Sequence, residues 1–187
     1  MIPEFLISEL TFLFFFVILV MSLNLAAGYT GLVNLGHMVF YGIGAYTSAI
    51  LTLNGVPWHL AMILAAIITS LIGVAIAAIT VRLKGDYFAM VTLGFVFIAI
   101  AVSRNWISLT RGALGLPSVP DIIVNNFYYM IFTAIFAVLA TFILYRLTNS
   151  ETGRIFQAIR DDETAASVLG KNTYLYKVLS IGISTFL

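Results

Sequence analysis

TNSETGRIFQAIRDDETAASVLGKNT, residues 148 to 173, is the one long polar island in a very apolar chain, and its reading decides how everything around it must fold. It contains Glu151, Arg154, Arg160, Asp161, Asp162, Glu163 and Lys171, with Arg146 and Lys177 just outside. Residues 10 to 81, by contrast, hold no Asp, Glu, Lys or Arg. A segment this polar cannot sit in hydrocarbon, and a run so long without charge cannot form an ordinary water-facing surface. The expectation is therefore a membrane domain, with this loop as the handle by which a cytoplasmic partner grips it.

The island has internal order that a plain connector would not need. From Thr152 to Ile159, the apolar Ile155, Phe156 and Ile159 recur at helical spacing, which predicts a short amphipathic helix. Asp161 and Asp162 then offer N-cap oxygens to a second short helix over 163–169, and Gly170 is placed to take the left-handed stop. Ala165 and Ala166 leave that second helix smooth, so it could dock closely in a cleft. Spacing alone equally allows a solvated loop with local helix and no partner.

Working outward, the chain has 187 residues, of which 61% are hydrophobic and 9% charged, far below the roughly 25% charged content of soluble domains. With a mean hydropathy of +1.08 it reads as an integral membrane protein. A net charge of +1 gives no sign of a nucleic-acid partner, and the absence of Cys excludes disulfides and a cysteine metal site. The N-terminus lacks a basic region and a small-residue cleavage site, so the first apolar run is expected to be a retained helix.

A helix needs about 20 apolar residues to cross a hydrocarbon core of roughly 30 Å. The apolar runs predict spans over Leu10–Gly28, Met38–Leu53 (short), Trp58–Val81, Tyr87–Ser103 and Phe127–Leu147. Turns fall at Leu53–Pro57, Arg82–Asp86 and, longer, Arg104–Asn126. Residues 174–187 read as the opening of a sixth span, and because they stop inside an apolar helix the chain is expected to be part of a longer permease. The fold class expected is an all-α, polytopic transmembrane helix bundle of about five spans plus the start of a sixth, apparently truncated. Residues 1–187 are taken as a single transmembrane permease domain and 148–173 as its cytoplasmic loop.

With that loop cytoplasmic, Arg82, Lys84, Arg146, Arg154, Arg160, Lys171 and Lys177 collect inside, against Arg104 and Arg111 outside, as the bias of basic residues toward the cytoplasm requires. Small residues four apart (Ala61 with Ala65; Thr69, Gly73 and Ala77; Gly44 with Ser48; Ala45 with Ala49) predict close helix contacts, structural in purpose.

Between the first two spans runs Asn24-Leu-Ala-Ala-Gly28-Tyr-Thr-Gly31-Leu-Val-Asn34-Leu-Gly36-His37, followed by Tyr41. Non-helical backbone at membrane depth is tolerated only where protein or a water-filled cavity covers it, and broken helices commonly surround transport pathways. Asn24, Asn34, His37 and Tyr41 are thus candidates to line or support a polar passage. The structural alternative is that Asn34 and His37 satisfy backbone groups at a tight junction. His59, beside Pro57 and Trp58, reads as interfacial. Nothing resembles a catalytic pair, a metal-ligand cluster or a phosphate loop, and no mid-span charge could relay protons. The chain is not expected to be an enzyme, and uphill transport would draw its energy from another subunit.

Four motifs carry a resemblance: NLAAGYTGLVNLGHMVFYGIGAYTSAIL (24–51), RLKGDYFAMVTLGF (82–95), NWISLTRGALGL (105–116) and GRIFQAIRDDETAASVLGKN (153–172). In this order they resemble the membrane permease of branched-chain amino acid ATP-binding cassette (ABC) transporters, the LivM type. The resemblance implies a fold like that of vitamin B12-type ABC importer permeases in a prokaryotic inner or plasma membrane. In such importers a loop with two alanines and, after three further residues, a glycine docks into the ATPase. Ala165, Ala166 and Gly170 match it, with Glu163 one place before the usual acid and Thr164 in its position. Arg160, Asp161 and Asp162 complete the implied coupling loop. ATP would be bound by partner ATPase subunits, so no cofactor is implied for this chain. A second, related permease subunit and an extracellular or periplasmic binding protein are also implied, the latter facing residues 104–120, where Arg111 stands in place of a glycine common among relatives. The substrate class implied is branched-chain or other small apolar amino acids. The competing readings are a secondary transporter or passive channel, and a non-transporting scaffold.

Overall fold

The structure, a computed structural model, describes residues 3–83, 85–116, 119, 123 and 125–187. Among these residues there are nine α-helices and no strand. Helix α1 spans Glu4–Asn24 and runs on through a π-helical turn, Leu25–Tyr29. It starts six residues earlier than the apolar run suggests. Glu4 lies in its first turn, where the positive end of the helix dipole favours an acid, so the helix extends beyond the purely apolar stretch. Next come α2 (His37–Leu53), α3 (Trp58–Thr80) and α4 (Asp86–Asn105). The loop expected over 104–126 contains a one-turn α5 (Ile107–Thr110) and a 3-10 turn at Gly112–Leu114. Then follow α6 (Asn126–Thr148), α7 (Glu151–Asp161), α8 (Glu163–Val168) and α9 (Thr173–Phe186). Lys84 and part of 117–124, both used in the sequence reading, lie outside the described residues.

Side-chain contacts fix the directions of the helices. The Tyr174 hydroxyl donates to the Ala78 carbonyl (2.9 Å) while Ser70 donates to the Gly182 carbonyl (2.8 Å), so α9 runs antiparallel to α3. Ser180 and Ser184 reach the carbonyls of Leu25 (3.4 Å) and Ser22 (2.5 Å), so α9 is antiparallel to α1 as well. Phe15 packs near Tyr129 (6.3 Å between rings), and Leu25 clusters with Leu144 and Phe156, which makes α1 and α6 parallel. The crossings therefore alternate, and the ends of α1, α3 and α6 meet the starts of α4 and α9 at one face. Arg82 stacks over Tyr174 there (5.4 Å), and Arg146, Arg154 and Arg160 belong to the same face, whereas Arg104 ends α4 at the opposite one.

Four segments are long and apolar enough to span a membrane unaided: Glu4–Tyr29, Trp58–Thr80, Asp86–Asn105 and Asn126–Thr148. At 17 residues α2 is only about 25 Å long. It begins beside Ser22, well short of the end of the first crossing, because residues 30–36 enter the bundle in non-helical form before the helix starts. The second crossing is thus part extended chain and part helix.

Packing follows the small residues. The buried stripe of α3 is Ala61, Ala65, Thr69, Gly73, Ala77 and Thr80, the face expected from the four-residue spacing. On it lie α2, with Gly44 in contact with Thr69 Oγ1 (3.4 Å from a Cβ placed at the glycine), and α9. A Cβ at Gly73 would overlap Thr185, and one at Gly182 would come within 2.7 Å of Val74. Both glycines let two backbones approach, which is how helices gain dispersion contacts in lipid.

Candidate functional site

The polar loop forms the two helices its spacing predicts. Ser150 caps α7 by accepting from Gly153 N (3.4 Å), and Phe156 and Ile159 turn inward, Phe156 packing with Leu25, Leu144 and Tyr176. Asp162 alone caps α8: its Oδ1 accepts from the amides of Thr164 (2.8 Å) and Ala165 (3.0 Å). Asp161 does not share that role. It ends α7 and pairs with the guanidinium of Arg160 (3.0 Å) on the surface. Gly170 takes the left-handed stop with φ +79°, a conformation that a side chain would strain.

The two alanines of α8 part company. Ala166 is buried, while Ala165 is exposed together with Val168 (82%) and Leu169 (77%). The outward side of this six-residue helix is therefore an apolar edge on an otherwise polar loop.

Two contacts that sequence reading missed join the loop to the bundle. Arg160 Nη1 donates to the carbonyl of Gly28 (2.9 Å), inside the π-helical turn that ends the first crossing. Glu163 Oε2 sits 2.6 Å from Lys177 Nζ, and Thr173 Oγ1 donates to Glu163 Oε1 (3.3 Å), tying α8 to α9. The one available signal was Lys177 itself, a cation in the first turns of an apolar helix, where solvent alone would serve it poorly.

At the break, the segment after Tyr29 alternates: Thr30, Leu32, Asn34 and Gly36 face inward, and Gly31, Val33 and Leu35 face outward. Its polar groups are met locally. Leu32 N bonds the Ala26 carbonyl (2.8 Å), Leu35 N donates to Thr92 Oγ1 (3.1 Å), and Gly36 N donates to Asn34 Oδ1 (3.0 Å). Thr30 and Ser180 share a hydroxyl contact of 2.6 Å. Ser22 donates its one hydroxyl proton to the Leu19 carbonyl (2.8 Å), so at the 2.8 Å contact His37 Nε2–H is the donor to Ser22. That tautomer leaves His37 Nδ1 as a bare acceptor, buried without a partner among the described residues.

The four passage candidates fall into two pairs. Asn34 and His37 are buried side by side in the junction, whereas Asn24 and Tyr41 are exposed on the surface of the bundle. Among the described residues no group of three or more His, Asp or Glu could hold a metal ion.

Alternating apolar helices, four of them long and apolar enough to cross a membrane, with a non-helical break after the first and a capped amphipathic loop at one end, define a multi-pass membrane protein. The chain belongs to the family described as branched-chain amino acid transport system / permease component, whose profile matches residues 5–187. It is 30% identical to the high-affinity branched-chain amino acid transport system permease protein LivM of Salmonella typhimurium, over 90% of this chain and 47% of that protein. It is 29% identical to the protein of the same name from Escherichia coli, over 95% and 48%. A probable branched-chain amino acid transport permease protein LivM of Methanocaldococcus jannaschii is 26% identical, over 88% and 59%. The chain thus spans about half the length of the two bacterial relatives. No solved structure matches it significantly. The resemblance read from the four motifs holds at the level of the family.

Proposed function

We propose that this chain is a membrane permease subunit of an ATP-binding cassette importer for branched-chain or other small apolar amino acids. A separate ATPase grips it from the cytoplasm through residues 148–173, acting beside a second permease subunit and an external binding protein. The observation that carries this reading is the outward edge of α8. Ala165, Val168 and Leu169 present apolar surface in a polar loop, on a helix held at both ends by the Asp162 cap and the Gly170 stop. Apolar side chains exposed in that setting favour a partner that covers them. Family membership and the gathering of Arg82, Arg146, Arg154 and Arg160 at the same face support a cytoplasmic position. In this scheme, closure of the ATPase moves α8 as a rigid piece and the crossings follow.

The break between α1 and α2 is the proposed gate. Asn34 and His37 support it from within, and Asn24 and Tyr41 face the passage shared with the second permease.

The test is co-purification of the ATPase with this chain from its native membranes, before and after Ala165→Glu and Val168→Glu. Association lost in the variants supports the reading, and association unchanged removes it. Ala166 is unsuitable for this purpose, because it is buried and a bulky replacement would disturb the fold. For the gate, Cys placed at Asn24 or Tyr41 should react with a membrane-impermeant thiol reagent. Protection at both positions would retire that part.

A further inference from the structure

We infer that Glu163 and Lys177 form the link by which movement of α8 is passed to α9, with the acid at the head of the coupling helix engaged inside the permease. The inference rests on reading α8 as the ATPase-facing helix, and it adds a pair of positioning residues to that reading.

The geometry is specific. Glu163 is the first residue of α8, and its two carboxylate oxygens are both used, one by Lys177 Nζ at 2.6 Å and the other by Thr173 Oγ1 at 3.3 Å. The Lys177 side chain is 7% exposed and that of Glu163 is 34% exposed, so the ammonium is almost fully withdrawn from water. A lysine in the opening turns of a membrane helix ordinarily extends its stem toward water. Lys177 does not, so the carboxylate is what holds it, as a buried ion requires a partner.

α8 has six residues, of which Ala166 is the buried one, and it packs against α7 as well as α9. At the far side of the link, α9 is keyed into the bundle. Ser180 and Ser184 bond the Leu25 and Ser22 carbonyls, Ser180 also meets Thr30, and Gly182 lies against Val74 of α3. A displacement of α8 carried by the ion pair therefore reaches the break in the first crossing through a single helix.

The natural chain has no Cys, so a spin label on Val168→Cys reports on α8 alone. In the chain by itself, E163Q is expected to raise the mobility of that label, and the reversed pair E163K/K177E to restore it. In the assembled transporter, E163Q is expected to keep the ATPase bound while the amount of substrate moved per ATP hydrolysed falls. The reversed pair should recover most of that loss.

Equal label mobility in all three chains overturns the inference. So does an unchanged transport-to-hydrolysis ratio in E163Q with the ATPase bound. Failure of the unsubstituted chain to bind any ATPase would instead remove the proposed function, and the label measurement would still decide whether the pair anchors α8. Should E163Q not fold, E163Q/K177M removes both charges, leaves no unpaired ion, and is read in the same way.

Discussion

The flank of α9 and its first turns are held by opposite physics. Along the flank, where it meets α3, contact depends on the absence of atoms: Gly73 leaves room for Thr185, Gly182 leaves room for Val74, and Ser70 adds one hydrogen bond. At the first turns, where it meets α8, contact depends on charge, through Glu163 and Lys177. Shape complementarity in lipid is stiff, since any added volume pushes the helices apart. An ion pair at the membrane surface keeps its strength over a small sliding motion, because Coulomb energy falls slowly with distance. The difference teaches which joint can transmit movement and which must stay closed.

The strongest way to break the comparison is at the shape joint. Gly73→Leu should cost about 3 kcal/mol, the upper range for overpacking, read as a lower unfolding temperature in detergent. Thr185→Gly in the same chain should return part of that loss, with an interaction energy of about 1 kcal/mol in a double-mutant cycle. Additive effects would mean that the two residues do not share the contact.

The charge joint is expected to yield less. Glu163→Gln should cost about 2 kcal/mol, below the 3–5 kcal/mol typical of fully buried pairs because Glu163 is a third exposed. Here the rescue is by sign, through E163K/K177E, whereas the shape joint responds only to volume. A loss as large as that of Gly73→Leu would show that both joints are rigid and would erase the distinction.

Sequence alone carried the apolar architecture far. The four long spans, the stripe on α3 and the pair of short helices follow from periodicity, caps and small-residue spacing, all of which are local rules. What it could not carry were contacts between separate helices. Arg160 meets Gly28 only after the crossings have brought those segments to one face, and Glu163 meets Lys177 only once the turn at 169–172 sets α9 against α8; no spacing rule encodes either contact. The sharing of the cap between Asp161 and Asp162 went astray for a related reason. Two adjacent acids look equivalent in sequence, but only the residue with extended backbone just before the helix (Asp162, φ −155°, ψ 104°) can turn its carboxylate onto the following amides. The early start of α1 at Glu4 shows the limit of hydropathy as a ruler, since helices continue into polar chain wherever the dipole and solvent allow.

That cap gives the next prediction, which separates the helix from its anchor. Asp162→Ala should destabilise α8 by about 1 kcal/mol. Hydrogen exchange at the Thr164 and Ala165 amides should quicken while α9 stays protected. Asp161→Ala, which removes only a surface pair with its neighbour, should shift stability by less than about 0.5 kcal/mol. If α9 loosens together with α8 in Asp162→Ala, the two helices form one cooperative unit and the ion pair is not a separable joint.

The smallest effect on the fold tests the partner most directly. Val168→Ser with Leu169→Ser removes apolar surface that touches little of the chain itself, so its effect on stability should stay within about 0.5 kcal/mol, as for other surface changes. If an ATPase covers that edge, the same two changes should weaken association by roughly tenfold or more, since fully burying a Val or Leu side chain is worth about 1.5–3 kcal/mol. If instead the edge dips into lipid headgroups, the loss will appear as altered membrane-surface protection of α8, with the ATPase bound as before. Stability that falls along with association would place Val168 and Leu169 among the contacts that hold α8 to the bundle. The charge joint would then have a helper, and the contrast with the α3 flank would narrow.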